Sequence, residues 1–266
     1  MNVLVIGGDV RLHHAAAVLS EAGHTVRLRG TPPVWNPFPT EEDFSLADAW
    51  LLPVPVTRGE TLLAECADPP TLTELASHAR VGLRVFGGKV PEGFRELLEG
   101  QGAEVCDYFD DPVLTLENAY LTAEGALFEW MRYKKDGVRG AEAAVLGYGR
   151  IAKSLVRLLT ALQVRVTVYA RKATDLADAA LCGCGASRLL PGTRLAPADA
   201  VFNTVPSRIF TEESFRECRT APVFDLADGI SPAVGGAALI PLRGVPGRYA
   251  PKAAGRALAE AVLRAI

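Results

Sequence analysis

The 266-residue chain holds few of the residues that carry most enzyme chemistry: four histidines, two methionines and only 7% aromatics. His13 and His14 are too close together to form a two-ligand face. His24 and His78 fall at turn or helix ends, so all four read as structural. The five cysteines (Cys66, Cys106, Cys182, Cys184, Cys218) include no CxxC pair and no Cys/His spacing suited to zinc; Cys182-Gly183-Cys184 is one residue too tight. No metal site is expected, and an odd set of thiols reads as reduced, in a reducing compartment. No apolar run approaches the roughly 18 residues a bilayer span needs. Met1–Asp9 lacks the basic lead of a signal peptide and reads as a first β-strand, so a cytoplasmic protein is the expectation. Charge is near balance, 28 Lys+Arg against 31 Asp+Glu, a net −3. That excludes a dedicated binder of nucleic acid or of an anionic membrane. No serine sits in a nucleophile elbow, and no carboxylate pair has glycosidase spacing.

What is present is a globular composition, 49% hydrophobic and 22% charged, long enough for two domains. Two strand–glycine–helix units lie about 140 residues apart. In the first, Val3–Ile6 leads into Gly7-Gly8-Asp9 and a helical stretch; in the second, Ala143–Leu146 leads into Gly147-Tyr148-Gly149 and a helical stretch. Continuous apolar strands of this kind are buried on both faces, as in parallel sheets. Each unit is followed by a further strand, Thr25–Leu28 and Val164–Tyr169. The expectation is an α/β protein of two doubly wound parallel-sheet, Rossmann-like domains around a cleft.

Further strands are expected at Ala49–Val54, Val81–Phe86, Glu104–Asp107, Ala200–Asn203, Val223–Leu226 and Leu239–Leu242. Helices are expected at Thr71–His78, with Thr71 and Glu74 as a capping box, and at Pro91–Gln101. Residues 31–48 read as a long connection. Ala119–Lys135 reads as an interdomain helix, and Lys252–Ile266 as an amphipathic helix returning to the first domain. The expected division is a substrate-side domain over 1–117, the connecting helix over 118–137, an NADP-binding domain over 138–248 and the returning helix over 249–266.

Gly147-Tyr148-Gly149-Arg150-Ile151-Ala152 matches the GxGxxG/A fingerprint in its required context, after a buried strand and opening a helix. The first glycine permits a tight turn and the second lets backbone approach a pyrophosphate. The third position must be small for helix and strand to close. Free amides at Arg150 and Ile151 then face the phosphates. The acid that would hold the adenosine ribose is missing after Val166-Thr167-Val168-Tyr169-Ala170, and Arg171-Lys172 stands there instead. A 2′-phosphate suits that pair, so NADP is expected over NAD; a solvated basic loop is the alternative. Asn203, Thr204 and Pro206 at a strand end are placed to run under the nicotinamide ribose. Asp225 is either a cofactor-side residue or a structural hydrogen-bonder. Gly7-Gly8-Asp9 misses the fingerprint, and Asp9 would repel a pyrophosphate; Asp9 and Arg11 either face the cleft or cap the helix. Lys252 stands at a helix N-terminus, where a cation is disfavoured, which marks it as a candidate anion-binding residue.

These stretches, with Leu52-Pro53-Val54, Asn118–Gly125, Phe224–Ala227 and Ala250-Pro251-Lys252-Ala253-Ala254-Gly255, resemble the dipicolinate synthase A-subunit family of spore-forming bacteria. In layout that family is similar to alanine and 2-hydroxyacid dehydrogenases. The Asn118–Gly125 and Pro-Lys-x-x-Gly stretches discriminate best, because generic Rossmann dehydrogenases need neither. The chain departs from the pattern directly after Ala227, where Asp228–Gly236 holds no arginine. The resemblance implies oxidation of a dihydro- or tetrahydrodipicolinate precursor to pyridine-2,6-dicarboxylate, with hydride passing to NADP⁺. It also implies Arg11, Asn118, Thr122 and Lys252 at the substrate, and Lys252 and Glu124 as catalytic groups. Glu124 is the proton acceptor in this reading, or else simply a dipole-favoured residue near a helix N-terminus. A flavoprotein-like second subunit of the synthase as partner, and a homo-oligomer, are further expectations. The alternatives are an NADP-dependent dehydrogenase of another small carboxylate, shikimate- or amino-acid-like, and a non-catalytic NADP(H)-sensing subunit.

Overall fold

The computed structural model describes all residues except 32–37, 41, 42, 67 and 232–237. The chain divides into two compact units, Met1–Asn118 with Ala250–Ile266, and Ala119–Tyr249.

In the first unit a five-stranded sheet has the order β2-β1-β3-β6-β7, with every neighbour parallel. Its strands are β1 (Asn2–Ile6), β2 (Thr25–Arg29), β3 (Ala49–Leu51), β6 (Arg84–Gly87) and β7 (Glu104–Asp107). A small antiparallel hairpin, β4 (Thr57–Arg58) with β5 (Thr61–Leu62), is not one of its strands but packs Leu62 with Leu4 and Ile6 of β1. Alternate residues of β1 feed opposite cores: Val3 and Val5 pack with α1 (Val10–Glu21), and Leu4 and Ile6 with α2 (Leu72–Ser77) and α3 (Glu92–Gly100). That two-sided burial is why the strand is apolar throughout.

The second unit repeats the plan. Its six-stranded parallel sheet has the order β10-β9-β8-β11-β12-β13. The strands are β8 (Glu142–Leu146), β9 (Arg165–Ala170), β10 (Gly185–Arg188), β11 (Ala200–Asn203), β12 (Val223–Asp225) and β13 (Leu239–Pro241). Ala143 and Val145 face the core under α5 (Arg150–Ala161), and Ala144 and Leu146 the opposite one. The helices α6 (Ala173–Leu181) and α7 (Val245–Tyr249) complete the unit. Both sheets are doubly wound, and each has a topological switch point: between β1 and β3 in the first, and between β8 and β11 in the second.

The connecting helix α4 runs Pro112–Lys134, beginning seven residues before the expected start. Asp111 caps it, accepting from the Leu114 N–H at 2.8 Å, and Pro112 occupies a first-turn position where no N–H is needed. The strand expected over Ala49–Val54 stops at Leu51, because Pro53 and Pro55 offer no N–H to a ladder. The strand expected from Val81 begins at Arg84, after a turn at Gly82 with φ +82°. Part of the 31–48 connection lies outside the described residues; within it, Phe44–Leu46 forms a single 3₁₀ turn. The last helix, α8 (Pro251–Ala265), packs on α1 inside the first unit. Gly255 makes that crossing possible: a Cβ there would run into the Arg11 carbonyl and come within 2.6 Å of His14 Cβ. Among the described residues no helix is long and apolar enough to cross a membrane.

Candidate dinucleotide site

At the carboxyl ends of β8 and β11 the second unit assembles its switch point from backbone. Gly147 turns the chain with φ +92°, and its N–H donates to the Tyr169 carbonyl at 2.8 Å. A side chain at Gly147 would lie 2.5 Å from Thr204 Oγ1, so only glycine fits this turn. Gly149 is the N-cap of α5 and supplies no side-chain cap. It is exposed, and a Cβ built on it meets nothing within 4 Å. Arg150 is exposed and Ile151 half-buried in the first turn that follows. Ala152, the small third position, is fully buried between helix and sheet. An uncapped helix start whose N-cap faces open space leaves backbone donors for an anion, so these residues fit a pyrophosphate.

The loop after β11 closes the other side of the turn. Thr204 donates its hydroxyl to the Leu146 carbonyl at 2.8 Å, and Pro206 is exposed. Asn203 is fully buried; its Nδ2 donates to Asp225 Oδ1 at 2.8 Å and to the Val205 carbonyl at 3.0 Å, while its Oδ1 accepts from the Val205 N–H. Asp225 also accepts from the N–H groups of Ala227 and Ile230. Of the two readings left open for Asp225, the structure shows the hydrogen-bonder. Asn203 and Asp225 shape the loops that face the turn, and their polar atoms are engaged with each other and with backbone. Gly229 belongs to the same arrangement, since a Cβ there would strike the Val205 carbonyl. Nothing in local pattern marks Gly229; its constraint comes from a neighbouring strand's loop.

Arg171 directly follows β9, and Lys172 is the N-cap of α6; both are exposed. The structure therefore brings the glycine turn, the Asn203–Pro206 loop, Asp225 and the cation pair to one end of one sheet. A link not foreseen from sequence ties these parts together. The Tyr148 ring is buried inside the glycine turn, with its hydroxyl 3.9 Å from Cys182 Sγ at the end of α6. Lys153 on α5 lies 5.0 Å from that ring and pairs with Asp178 on α6 at 2.9 Å. Burial, and then the contact with Cys182, push the Tyr148 phenol well above its ordinary range.

The first unit has a glycine turn of similar shape, with φ +65° at Gly7 and +84° at Gly8. Here the chain itself fills the anion position. The Gly8 N–H donates to the Leu63 carbonyl at 2.7 Å, and Asp9 caps α1 by accepting from the Arg11 N–H at 3.0 Å. Asp9 also binds the Arg11 guanidinium, at 2.8 Å to Nε and 2.7 Å to Nη2. Arg11 Nη2 reaches the Val54 carbonyl at 2.9 Å, across the β1–β3 switch point. So Asp9 caps the helix, as one of its two readings had it, and Arg11 is held in place by Asp9 and Val54. Lys252 is the second residue of α8, in the same unit; its charge, after burial and His13, helps to hold the His14 imidazole below its ordinary range.

Asn118 and Thr122 stand four residues apart on α4 and share a face. Glu124 does not join them. At 100° per residue it points about 200° away from Thr122, off the face that Asn118 and Thr122 share. The dipole reading of Glu124 fails as well, since it lies more than three turns from the start of α4. His78 stacks on Phe44, with ring centroids 4.5 Å apart, which accords with a structural role.

The comparisons place these units among known proteins. Residues 2–109 match the family model of the N-terminal domain of the dipicolinate synthase A-subunit. Residues 117–223 match that of the D-isomer specific 2-hydroxyacid dehydrogenase NAD binding domain. The dipicolinate synthase A-subunit of Bacillus subtilis (strain 168) is 25% identical over 284 residues, covering 98% of this chain and 94% of that one. The crystal structure of the dipicolinate synthase A-subunit from Bacillus halodurans superposes with a TM-score of 0.83 at 25% identity, covering 99% of this chain and 97% of that one. An L-alanine dehydrogenase structure, 15% identical, shares the fold with a TM-score of 0.58, covering 98% of this chain and 88% of that one.

Fold and matched domains define the class: an NAD(P)-dependent oxidoreductase. Within that class the chain is similar along its whole length to the A-subunit of dipicolinate synthase, as its motifs indicate.

Proposed function

We propose that the chain oxidises a dihydropyridine dicarboxylate to dipicolinate, with NADP⁺ taking the hydride. The observation that carries the cofactor half is the uncapped start of α5 at Gly149 on the same sheet end as Arg171 and Lys172. Two cations suit a third phosphate, whereas an acid in that place would select a free ribose hydroxyl. The dinucleotide supplies the hydride acceptor when bound. The Gly147–Ile151 backbone and the Asn203–Pro206 loop orient it, with Asn203 and Asp225 positioning that loop.

For the substrate, the relatives named for dipicolinate synthesis support a dicarboxylate, and the motif resemblance implies Arg11 and Lys252 as partners of its carboxylates, with Asn118 and Thr122 as neutral hydrogen-bonding partners. Asp9 and Val54 fix the Arg11 guanidinium by engaging Nε and Nη2, which leaves Nη1 for a further bond. Loss of one hydride and one proton makes the ring aromatic, so the reaction itself supplies much of the driving force. Alignment and charge neutralisation are what the protein must add. Lys252 is the remaining candidate for handling the proton.

One observation favours a second reading, a protein that senses NADP(H) without turning over alone. The Asp225 carboxylate is committed to the fold, and Glu124 faces away from Asn118 and Thr122. Purified chain mixed with NADP⁺ and freshly generated dihydrodipicolinate separates the two. Dipicolinate absorbance appearing with this chain alone supports the enzyme. Cofactor binding without product, restored by a flavoprotein-like second component, supports the sensing role in a two-component synthase.

A further inference from the structure

The second unit carries a thiol pair beside the glycine turn. Cys182 caps the end of α6 and is exposed; Cys184, two residues on, is buried just before the edge strand β10. Gly183 between them has φ +78°, and the N–H groups of all three residues bond back to carbonyls in the last turns of α6. The spacing of the two thiols is therefore built into the helix end. Cys184 Sγ lies 4.0 Å from the Cys182 carbonyl oxygen. A turn of this kind holds the two α-carbons at about the 5.5–6 Å that a disulfide bridges.

Cys182 is also the thiol that the glycine turn touches. The Tyr148 hydroxyl donates to its Sγ at 3.9 Å, and the Tyr148 ring is buried between Gly147 and Gly149. Burial first and then the Cys182 contact hold the Tyr148 phenol above its ordinary range, and Cys184 adds in the same direction, so both thiols neighbour one phenol. Burial, and then Cys182, also raise the Cys184 thiol. Exposed Cys182 is thus the sulfur that meets a reagent, and Cys184 is held in reserve behind it.

We propose that Cys182 and Cys184 form a thiol–disulfide switch that acts through Tyr148 on the glycine turn, the oxidised form binding dinucleotide more weakly. This rests on Gly147–Gly149 as the dinucleotide site. The oxidant is a small disulfide. The Cys182 thiolate attacks one of its sulfurs, giving a mixed disulfide and releasing one small thiol. The Cys184 thiolate then attacks Cys182 Sγ, and the bond to the second small thiol breaks. Two electrons pass from the protein to the oxidant, and the two protein thiol protons end on the two released thiols. Cys182 Sγ, drawn to Cys184, leaves the Tyr148 hydroxyl without its acceptor, and the ring loses its hold inside the turn. An exposed bond closed over one residue is of the readily reduced, regulatory kind rather than a structural staple.

The full chain treated with oxidised glutathione, alkylated and digested with trypsin tests the bond. The peptide Ala173–Arg188 holds both thiols and no internal Lys or Arg. It should appear unalkylated and lighter by two hydrogens, whereas Cys184→Ser should stop at the glutathione adduct. By calorimetry the oxidised chain should bind NADPH and NADH at least about fivefold more weakly, with dithiothreitol restoring both. Tyr148→Phe should still form the disulfide but lose most of its effect on affinity. A peptide that stays dithiol at every glutathione ratio overturns the proposal. So does a disulfide that leaves affinity unchanged, a loss that persists in full in Tyr148→Phe, or an equal loss in Cys184→Ser. A reduced chain that binds neither dinucleotide fails the site reading instead, which is seen before any oxidant is added; the peptide mass then still decides the bond.

Discussion

Asn203 and Asp225, on neighbouring strands, meet in the core of the second unit with 2.8 Å between Nδ2 and Oδ1. Both side chains are buried. Each also ties down the loop after its own strand, so the pair fixes how two strand ends present themselves to the glycine turn. Asp225→Ala should cost about 3 kcal/mol, since it strands three donors, two of them in buried bonds. Asp225→Asn should cost less, because one acceptor oxygen survives. Chemical denaturation followed by circular dichroism checks both, and a loss near zero for Asp225→Ala would show that the carboxylate is not a structural anchor.

Gly149→Val should abolish binding of either dinucleotide while leaving thermal stability almost unchanged. No protein atom lies within 4 Å of the added Cβ position, so the valine intrudes only on a ligand. Calorimetric titration with NADPH and NADH is the measurement. Retained affinity would move the pyrophosphate elsewhere.

Arg171→Ala with Lys172→Ala should weaken NADPH by one to two decades and leave NADH nearly unaffected, because each charge-assisted bond to a phosphate contributes roughly 1.5–3 kcal/mol. Equal losses for both cofactors would remove the 2′-phosphate role and reinstate a solvated basic loop.

His14 reports on Lys252. Burial, His13 and Lys252 all disfavour its imidazolium, so its folded pKa lies below the ordinary 6.5. The sign follows directly: the contribution to stability is present above the unfolded value and is lost as pH falls through the lowered folded one. Lys252→Ala should raise the His14 pKa. A dicarboxylate bound at Lys252 should raise it as well, by neutralising the ammonium. Proton NMR titration of His14 with and without dipicolinate reads this, and a ligand that leaves His14 unmoved does not sit on Lys252.

Most of the architecture is legible in the sequence because each sheet strand is apolar on both faces and each glycine turn marks a strand's end. What escapes is set by contacts distant in sequence. The hairpin at Thr57–Leu62 is two residues per strand, too short to show alternation. The α6 helix hides behind the Arg171-Lys172 motif. The start of α4 is written in Asp111-Pro112, a cap and a first-turn proline, but the apolar spacing further along is the louder signal. The site is legible where one segment carries it, as in Gly147–Ala152. It is not where two segments meet, as at Gly229 against Val205 or Tyr148 against Cys182. The orientation of Glu124 needs only the helical angle from Thr122, which motif matching does not consult.

The Leu63 carbonyl seated on the Gly8 amide has a further consequence. Two halves built on one plan would ordinarily offer two berths for a nucleotide. Here one berth is stoppered by the chain's own hairpin and guarded by the Asp9 carboxylate, so saturation should come at a single equivalent of dinucleotide per polypeptide. The N-terminal half is thereby released from cofactor duty.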